Sequence, residues 1–89
     1  MRAIVTVIGK DRVGIIASVT NLLSQHGVNV LDISQTVLQE YFTMIMLVDA
    51  AACTVPFAEL VKLLKDAGEE MGMQIRTQHE EVFDAMYKI

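Results

Sequence analysis

The stretch Gly9-Lys10-Asp11-Arg12-Val13-Gly14-Ile15-Ile16 (residues 9–16) decides the fold because two kinds of periodicity meet in it. Before it, residues 3–8 are β-branched and apolar on both faces, which indicates a buried central strand. After it, apolar residues recur at helical spacing over residues 13–26, and Gly27 stands where a left-handed helix end favours glycine. The stretch is therefore predicted to turn a first strand into a first helix.

The rest of the chain continues this alternation of strand and helix. An alternating segment with one polar side is typical of an edge strand, and an almost wholly apolar segment after it is typical of a central strand. A proline is tolerated in the first turn of a helix, so Pro56 marks the start of a second one. The predicted elements are strands at 28–39, 42–48 and 73–78, a second helix from Pro56 to near Gly72, and a short helical tail at 80–89.

The order β-α-β-β-α-β with short connections predicts an α+β fold, the ferredoxin-like plait. Right-handed crossovers then place both helices on one face of an antiparallel sheet in the strand order 4-1-3-2. A chain of 89 residues buries one core, so residues 1–89 are predicted to form a single domain. The second sheet face needs a cover, either the apolar stripe of Val82, Phe83 and Met86 or a partner subunit.

Composition narrows the function. The chain is 53% hydrophobic and 20% charged, so part of its apolar surface is expected to lie against another chain. Seven basic and eleven acidic residues give a net charge of -4 without any basic run, which disfavours nucleic acid. No apolar run approaches the ~20 residues that a membrane span needs. The single cysteine, Cys53, is expected to be a small core residue and suits a reducing cytoplasm.

The turn at residues 9–16 has the chemistry of an anion site. Free N–H groups and the positive end of the helix dipole favour an anion or a carboxylate at a helix start. Asp11 could cap the helix, Arg12 could add a charged donor, and Gly14 leaves room for close approach. From the residues alone, a small-anion site and a capped turn without a ligand both stay open.

The pattern Gly9-x-Asp11-Arg12-x-Gly14-Ile15, with Gln25-His26-Gly27 and Val28-Asn29-Val30 after it, resembles an ACT domain over nearly the whole chain. The chain is most similar to stand-alone ACT proteins and to the N-terminal ACT portions of formyltetrahydrofolate deformylase and the glycine cleavage system repressor. ACT domains commonly bind amino acids or other small ligands between the first strand–helix loop of one subunit and strand two, or a loop, of its neighbour. The family often has proline where Val13 stands, which leaves a less rigid loop entry here.

The resemblance implies a non-enzymatic regulatory protein, a cytoplasmic homodimer that binds an amino acid or related small anion. A metabolic enzyme or regulator is a further expected partner, and no cofactor, metal or catalytic residue is expected. Two alternatives are a ligand-free dimerisation or interaction module and an acylphosphatase-like hydrolase, which would use an arginine in the same loop. The ligand-binding residues that the resemblance implies are Gly9, Asp11, Arg12, Val13, Gly14, Ile15, Asn29 and Val30.

Overall fold

A computed structural model describes residues 1–10 and 14–87, and side chains as far as Met86. All predicted strands and helices are present, with β1, β3 and β4 slightly longer than predicted and α1 and β2 slightly shorter. None of the described helices is both long and apolar enough to cross a membrane. The elements are β1 (Arg2–Lys10), α1 (Ile15–Gln25), β2 (Asn29–Leu38), β3 (Tyr41–Asp49), α2 (Phe57–Met71), β4 (Met73–His79) and α3 (Glu80–Tyr87).

The four strands form one antiparallel sheet in the order β2-β3-β1-β4, which confirms the predicted order 4-1-3-2. Val5 of β1 lies opposite Met46 of β3 and Thr77 of β4, so alternate residues of the three strands point to the same face. Residues of α1 and α2 pack on that face, which we call the helix side, and the other is the open face. The core on the helix side includes Ala3, Val5, Val7, Val19, Leu23, Phe42, Met44, Met46, Val48, Leu60 and Leu64.

Strand β2 is an edge strand, as predicted, but its apolar side is not covered. A bulge at Leu31 breaks the alternation and turns Val30 toward the core, opposite Val48. Ile33 and Val37 lie on the helix side and are still 37% and 55% exposed. The helices cover only the start of β2: Val30 packs against the core, whereas the residues that follow it along the strand stay exposed.

The open face is covered in part by α3, one of the two covers that the sequence predicts. Helix α3 contacts β1 and β4, where Gln78 Nε2 donates to Met86 Sδ at 3.1 Å and Arg2 pairs with Glu80 at 3.0 Å. Ile4 beneath it is buried and Phe83 is half-buried. Ile8, Tyr41, Ile45, Val82 and Met86 stay exposed, so the helix does not complete the cover. Residues 88–89 of the predicted tail lie outside the described residues.

One buried polar group lies on the helix side of β4. Thr77 is 6% exposed, and its hydroxyl makes no hydrogen bond to any of the described residues. A buried hydroxyl without a partner costs about 1–3 kcal/mol, whereas an apolar group of the same shape has no such cost. Thr77→Val is therefore expected to raise the free energy of unfolding by about 1 kcal/mol in urea denaturation. Thr6 is half-buried on the open face, and Thr6→Val is the control. It is expected to change the free energy of unfolding by less than about 0.5 kcal/mol. Equal effects of both substitutions would refute the assignment.

Candidate functional site

Gly9 lies inside β1 rather than in the turn that follows. Its partners across the sheet are Phe42 of β3 and Met73 of β4. A Cβ added to Gly9 would collide with the Met73 sulfur, so the glycine makes room for a buried side chain of the next strand. Packing therefore explains Gly9 without a ligand.

Gly14, at the end of the turn, is exposed. It precedes α1 with φ of +82°, a left-handed conformation, and its carbonyl accepts the Ser18 N–H at 2.9 Å. Within residues 1–10 and 14–87, no heavy atom beyond its chain neighbours lies within 4 Å of the place of a Cβ, so the left-handed conformation is what favours glycine here. Asp11, Arg12 and Val13, which the resemblance places beside it, lie outside the described residues.

The first turn of α1 offers backbone donors rather than side chains. Ile15 is 5% exposed and its side chain belongs to the core. The first N–H groups of a helix have no carbonyl one turn earlier to accept them, and they point out of its N-terminus. An anion at this end of α1 would therefore meet backbone N–H groups beside Gly14 and the positive end of the helix dipole.

Asn29 and Val30 lie at the opposite end of the sheet. Asn29 is exposed, and it pairs with Asp49 of β3, which pairs in turn with Arg2 at the start of β1. At the other end of β2, Val37 pairs with Phe42, which is the partner of Gly9. From Arg2 to Gly9 the strand advances by roughly 23 Å. Asn29 and Gly14 of one chain are therefore too far apart to hold one small molecule. Val30 packs against the core and presents no free polar side chain.

The surroundings of Asn29 are polar and well bonded. The Asp49 carboxylate accepts the Ala51 N–H at 2.9 Å, and this bond, together with the N-terminal ammonium at 3.4 Å, holds the pKa of Asp49 below its ordinary value of 3.8. The carboxylate beside Asn29 is thus ionised at neutral pH. This carboxylate already pairs with the N-terminal ammonium, and its remaining acceptor capacity is open to a donor group of a ligand near Asn29.

The two histidines and the cysteine make contacts within the fold. His26 Nδ1 lies 2.9 Å from the Leu22 carbonyl at the end of α1, and the His79 ring stacks on Phe57 with ring centres 4.0 Å apart. Cys53 is a free thiol that packs against the core but is only half-buried, so it is less enclosed than the predicted core residue. Residues 1–10 and 14–87 contain no group of three or more His, Cys, Asp or Glu side chains that could hold a metal ion.

A feature that the sequence did not indicate is a cleft at the other edge of the sheet. It has a volume of about 530 Å³ and follows residues 73–78 of β4. Val61, Lys65 and Glu69 of α2 form one wall, spaced four residues apart on one face of the helix. The periodicity of the sequence can assign those residues to an exposed face of the helix. It cannot show that this face lies beside the edge of β4, because that position depends on how the helix packs on the sheet.

The fold and the exposed glycine turn define the class of protein. A βαββαβ plait with a glycine at the entry of the first helix is the arrangement of an ACT domain, and the family model for the ACT domain matches residues 2–78. The chain belongs to the ACT domain family. It is a regulatory family in which small-ligand binding and dimerisation are typical.

Within this family the chain is similar to small proteins of its own length. A UPF0237 protein of Bifidobacterium longum is 52% identical over 88 residues, which cover 99% of this chain and 98% of the relative. The solved structure of an ACT domain protein from Streptococcus pneumoniae has a TM-score of 0.82 at 41% identity, with 98% of each chain covered.

Parts of two larger proteins, of the two kinds that the sequence resembles, share this fold. A formyltetrahydrofolate deformylase from Pseudomonas syringae aligns at a TM-score of 0.75 and 27% identity, covering 88% of this chain and 27% of the enzyme. A putative glycine cleavage system transcriptional repressor aligns at a TM-score of 0.74 and 23% identity, covering 86% of this chain and 44% of the repressor. At 23% identity, the likeness to the repressor shows that the two chains share a fold.

Proposed function

We propose that this chain is a non-enzymatic regulatory protein, a homodimer that binds an amino acid or related small anion in a pocket shared between two copies. One observation carries the proposal. Among the candidates that the structure describes, the exposed ones, Gly14 and Asn29, lie at opposite ends of the sheet of one chain. A site that uses both therefore needs a second copy.

Pairing of the two β2 edges supplies the required geometry. In an antiparallel pair of β2 strands related by a two-fold axis, the Asn29 end of one strand lies beside the Leu38 end of the other. The Leu38 end is the end of the sheet at which β1 runs into the Gly14 turn. Each Asn29 would thus lie at the same end as the Gly14 turn of the partner, and the dimer would have two equivalent pockets.

Two properties of β2 support this pairing. Its outer edge is free across ten residues, and Ile33 and Val37 on its helix side are substantially exposed. A long edge strand with exposed apolar side chains pairs readily with another strand. Across the two-fold axis the apolar side chains of the two copies would share one stripe, which removes them from water.

The chemistry of the shared pocket suits a zwitterion. N–H groups of the first turn of α1 would bind a carboxylate, and Asn29 and the ionised Asp49 of the other copy would meet an ammonium group. A ligand that binds the dimer alone stabilises it by about 2.7 kcal/mol at one hundred times its dissociation constant. Ligand concentration would thereby set the amount of dimer, which a metabolic enzyme or regulator in the cytoplasm could sense.

Complementation between two defective variants tests the shared pocket. An amino-acid screen by thermal shift first identifies a ligand, and the ligand stoichiometry of each variant is then measured by isothermal titration calorimetry. Gly14→Asp and Asn29→Ala should each abolish binding as pure proteins, the first by charge repulsion and the second by loss of the amide. A heterodimer of the two has one pocket with both defects and one intact pocket. Mixing them should therefore restore up to one ligand per heterodimer.

The outcomes separate a shared pocket from a pocket within one chain. If the mixture binds no more ligand than the pure variants while forming heterodimers by native mass spectrometry, the shared pocket is wrong. If no amino acid or small anion changes the melting temperature at millimolar concentration, ligand binding itself loses its support. Asn21→Ala, on the exposed side of α1 and beyond its first turn, makes the same change as Asn29→Ala, serves as the matched control and should bind as the parent protein does.

A second function is supported by the open face. Ile8, Tyr41 and Ile45 lie exposed on it beside the margin of α3. A ligand-free interaction module would use this surface and would be insensitive to Gly14→Asp.

The acylphosphatase-like alternative depends on Arg12, which lies outside the described residues, and an acyl phosphate assay with Arg12→Ala tests it directly.

A further inference from the structure

The sheet has a second free edge, and it differs from the first in its surroundings. Strand β4 is the outermost strand on the side away from β2, and the cleft of about 530 Å³ touches six consecutive residues of it, 73–78. An edge strand presents a row of backbone N–H and C=O groups that another strand can pair with. The cleft is thus a groove with an unpaired backbone along its floor.

The two sides of this groove have different chemistry. On the open face the outward residues of β4 are Gln74, Arg76 and Gln78, which are polar or charged. On the helix side the groove is lined by the apolar Ile75 and Val61, with Lys65 and Glu69 farther along the helix wall. A strand lying here would therefore meet polar groups with one set of alternate side chains, and Ile75 and Val61 with the other.

Arg76 sets the net charge of the groove. Lys65 and Glu69 on the helix wall carry opposite charges one turn apart, so they offset each other. Within residues 1–10 and 14–87, Arg76 has no carboxylate at ion-pair distance. An incoming strand with acidic residues on its open-face side would supply the missing counter-charge.

The position of Arg76 also disfavours a second copy as the occupant. β4 has seven residues, Met73–His79, and Arg76 is its central residue. An in-register antiparallel pair of two β4 strands would place Arg76 opposite Arg76 of the second copy, and like charges directly opposite destabilise a pair. A central charge on an edge strand is a usual protection against such self-pairing.

We infer that the outer edge of β4 binds an extended acidic segment of another protein as a fifth strand. Acidic side chains of that segment face Arg76 on the open face, and its alternate β-branched apolar side chains face Ile75 and Val61. The inference is independent of the proposed ligand pocket, because the pocket lies at the β2 side of the sheet and this groove at the β4 side.

Peptide titration of the full chain tests the inference. The probe is an end-capped eight-residue peptide of alternating valine and glutamate, followed by amide chemical shifts of the ¹⁵N-labelled protein. Shifts are expected at residues 73–79 and along the Val61 face of α2, and not at residues 29–38. Arg76→Glu should weaken binding about tenfold or more and should confer binding of the matching valine–lysine peptide. Methylation of the peptide N–H groups that face β4 should abolish binding.

Three results would overturn the inference. The first is absence of shifts at millimolar peptide. The second is a set of shifts on β2 instead of β4. The third is equal affinity of Arg76→Glu, or of the N-methylated peptide, which would show that neither the charge nor the strand backbone recognises the probe. Arg76 is exposed, so the dispersion of the variant's spectrum is expected to report an intact fold.

Discussion

Gly27→Ala is expected to lower the free energy of unfolding by about 2–4 kcal/mol. Gly27 follows α1 with φ of +74°, and a Cβ there would lie 2.5 Å from the Ala52 carbonyl oxygen. Backbone cannot swing aside as the end of a side chain can. The β3–α2 loop would have to leave α1, which breaks the bond from the Thr54 N–H to the His26 carbonyl at 2.9 Å. Urea denaturation at fixed protein concentration measures the loss.

Gly14→Ala is the matched control for this prediction. Its φ of +82° carries the same conformational penalty, but among the described residues no heavy atom beyond its chain neighbours lies within 4 Å of the added Cβ. The control should therefore cost about 1 kcal/mol, and the difference between the two variants isolates the contact with Ala52. In thermal unfolding that difference corresponds to a gap of roughly 5–20 °C. Equal losses from both substitutions would show that the loop contact does not contribute.

The fold could be predicted because the sequence of each strand and helix contains a local pattern that identifies it. Alternation, helical spacing, Pro56 and Gly72 mark the elements, and handedness rules then leave one strand order. The covering of β2 could not be predicted in the same way. Alternation shows that Ile33 and Val37 share one side, but their exposure depends on where two helices lie above four strands. The bulge at Leu31 is likewise set by pairing with β3, not by the residue itself.

The candidate site was predictable in its parts but not in its layout. Two glycines of the first turn look alike in sequence, yet Gly9 makes room for Met73 and Gly14 supports a left-handed turn. The separation of Gly14 from Asn29 follows from strand register, which a linear pattern does not contain. That separation is what turns a family resemblance into a specific geometric requirement for a second copy.

Ile33→Lys is expected to convert the proposed dimer to a monomer and to abolish ligand binding with it. The substitution places a cation in the middle of the β2 edge, where two copies would bring it close to its own equivalent. A dimer whose pockets need both chains then loses them together. Sedimentation velocity at micromolar concentration measures the oligomeric state, and calorimetry with a ligand from the thermal-shift screen measures binding. In the monomer Ile33 is 37% exposed, so folding should be retained.

Ile45→Lys separates the two surfaces on which the chain could assemble. Ile45 is 39% exposed, almost the same as Ile33, but it lies on the open face opposite Thr6. The two variants thus introduce the same charge in place of the same side chain at equal exposure. If β2 forms the dimer, Ile33→Lys dissociates it and Ile45→Lys does not. The reverse pattern would place the interface on the open face, which would contradict dimerisation through β2 and favour the ligand-free module.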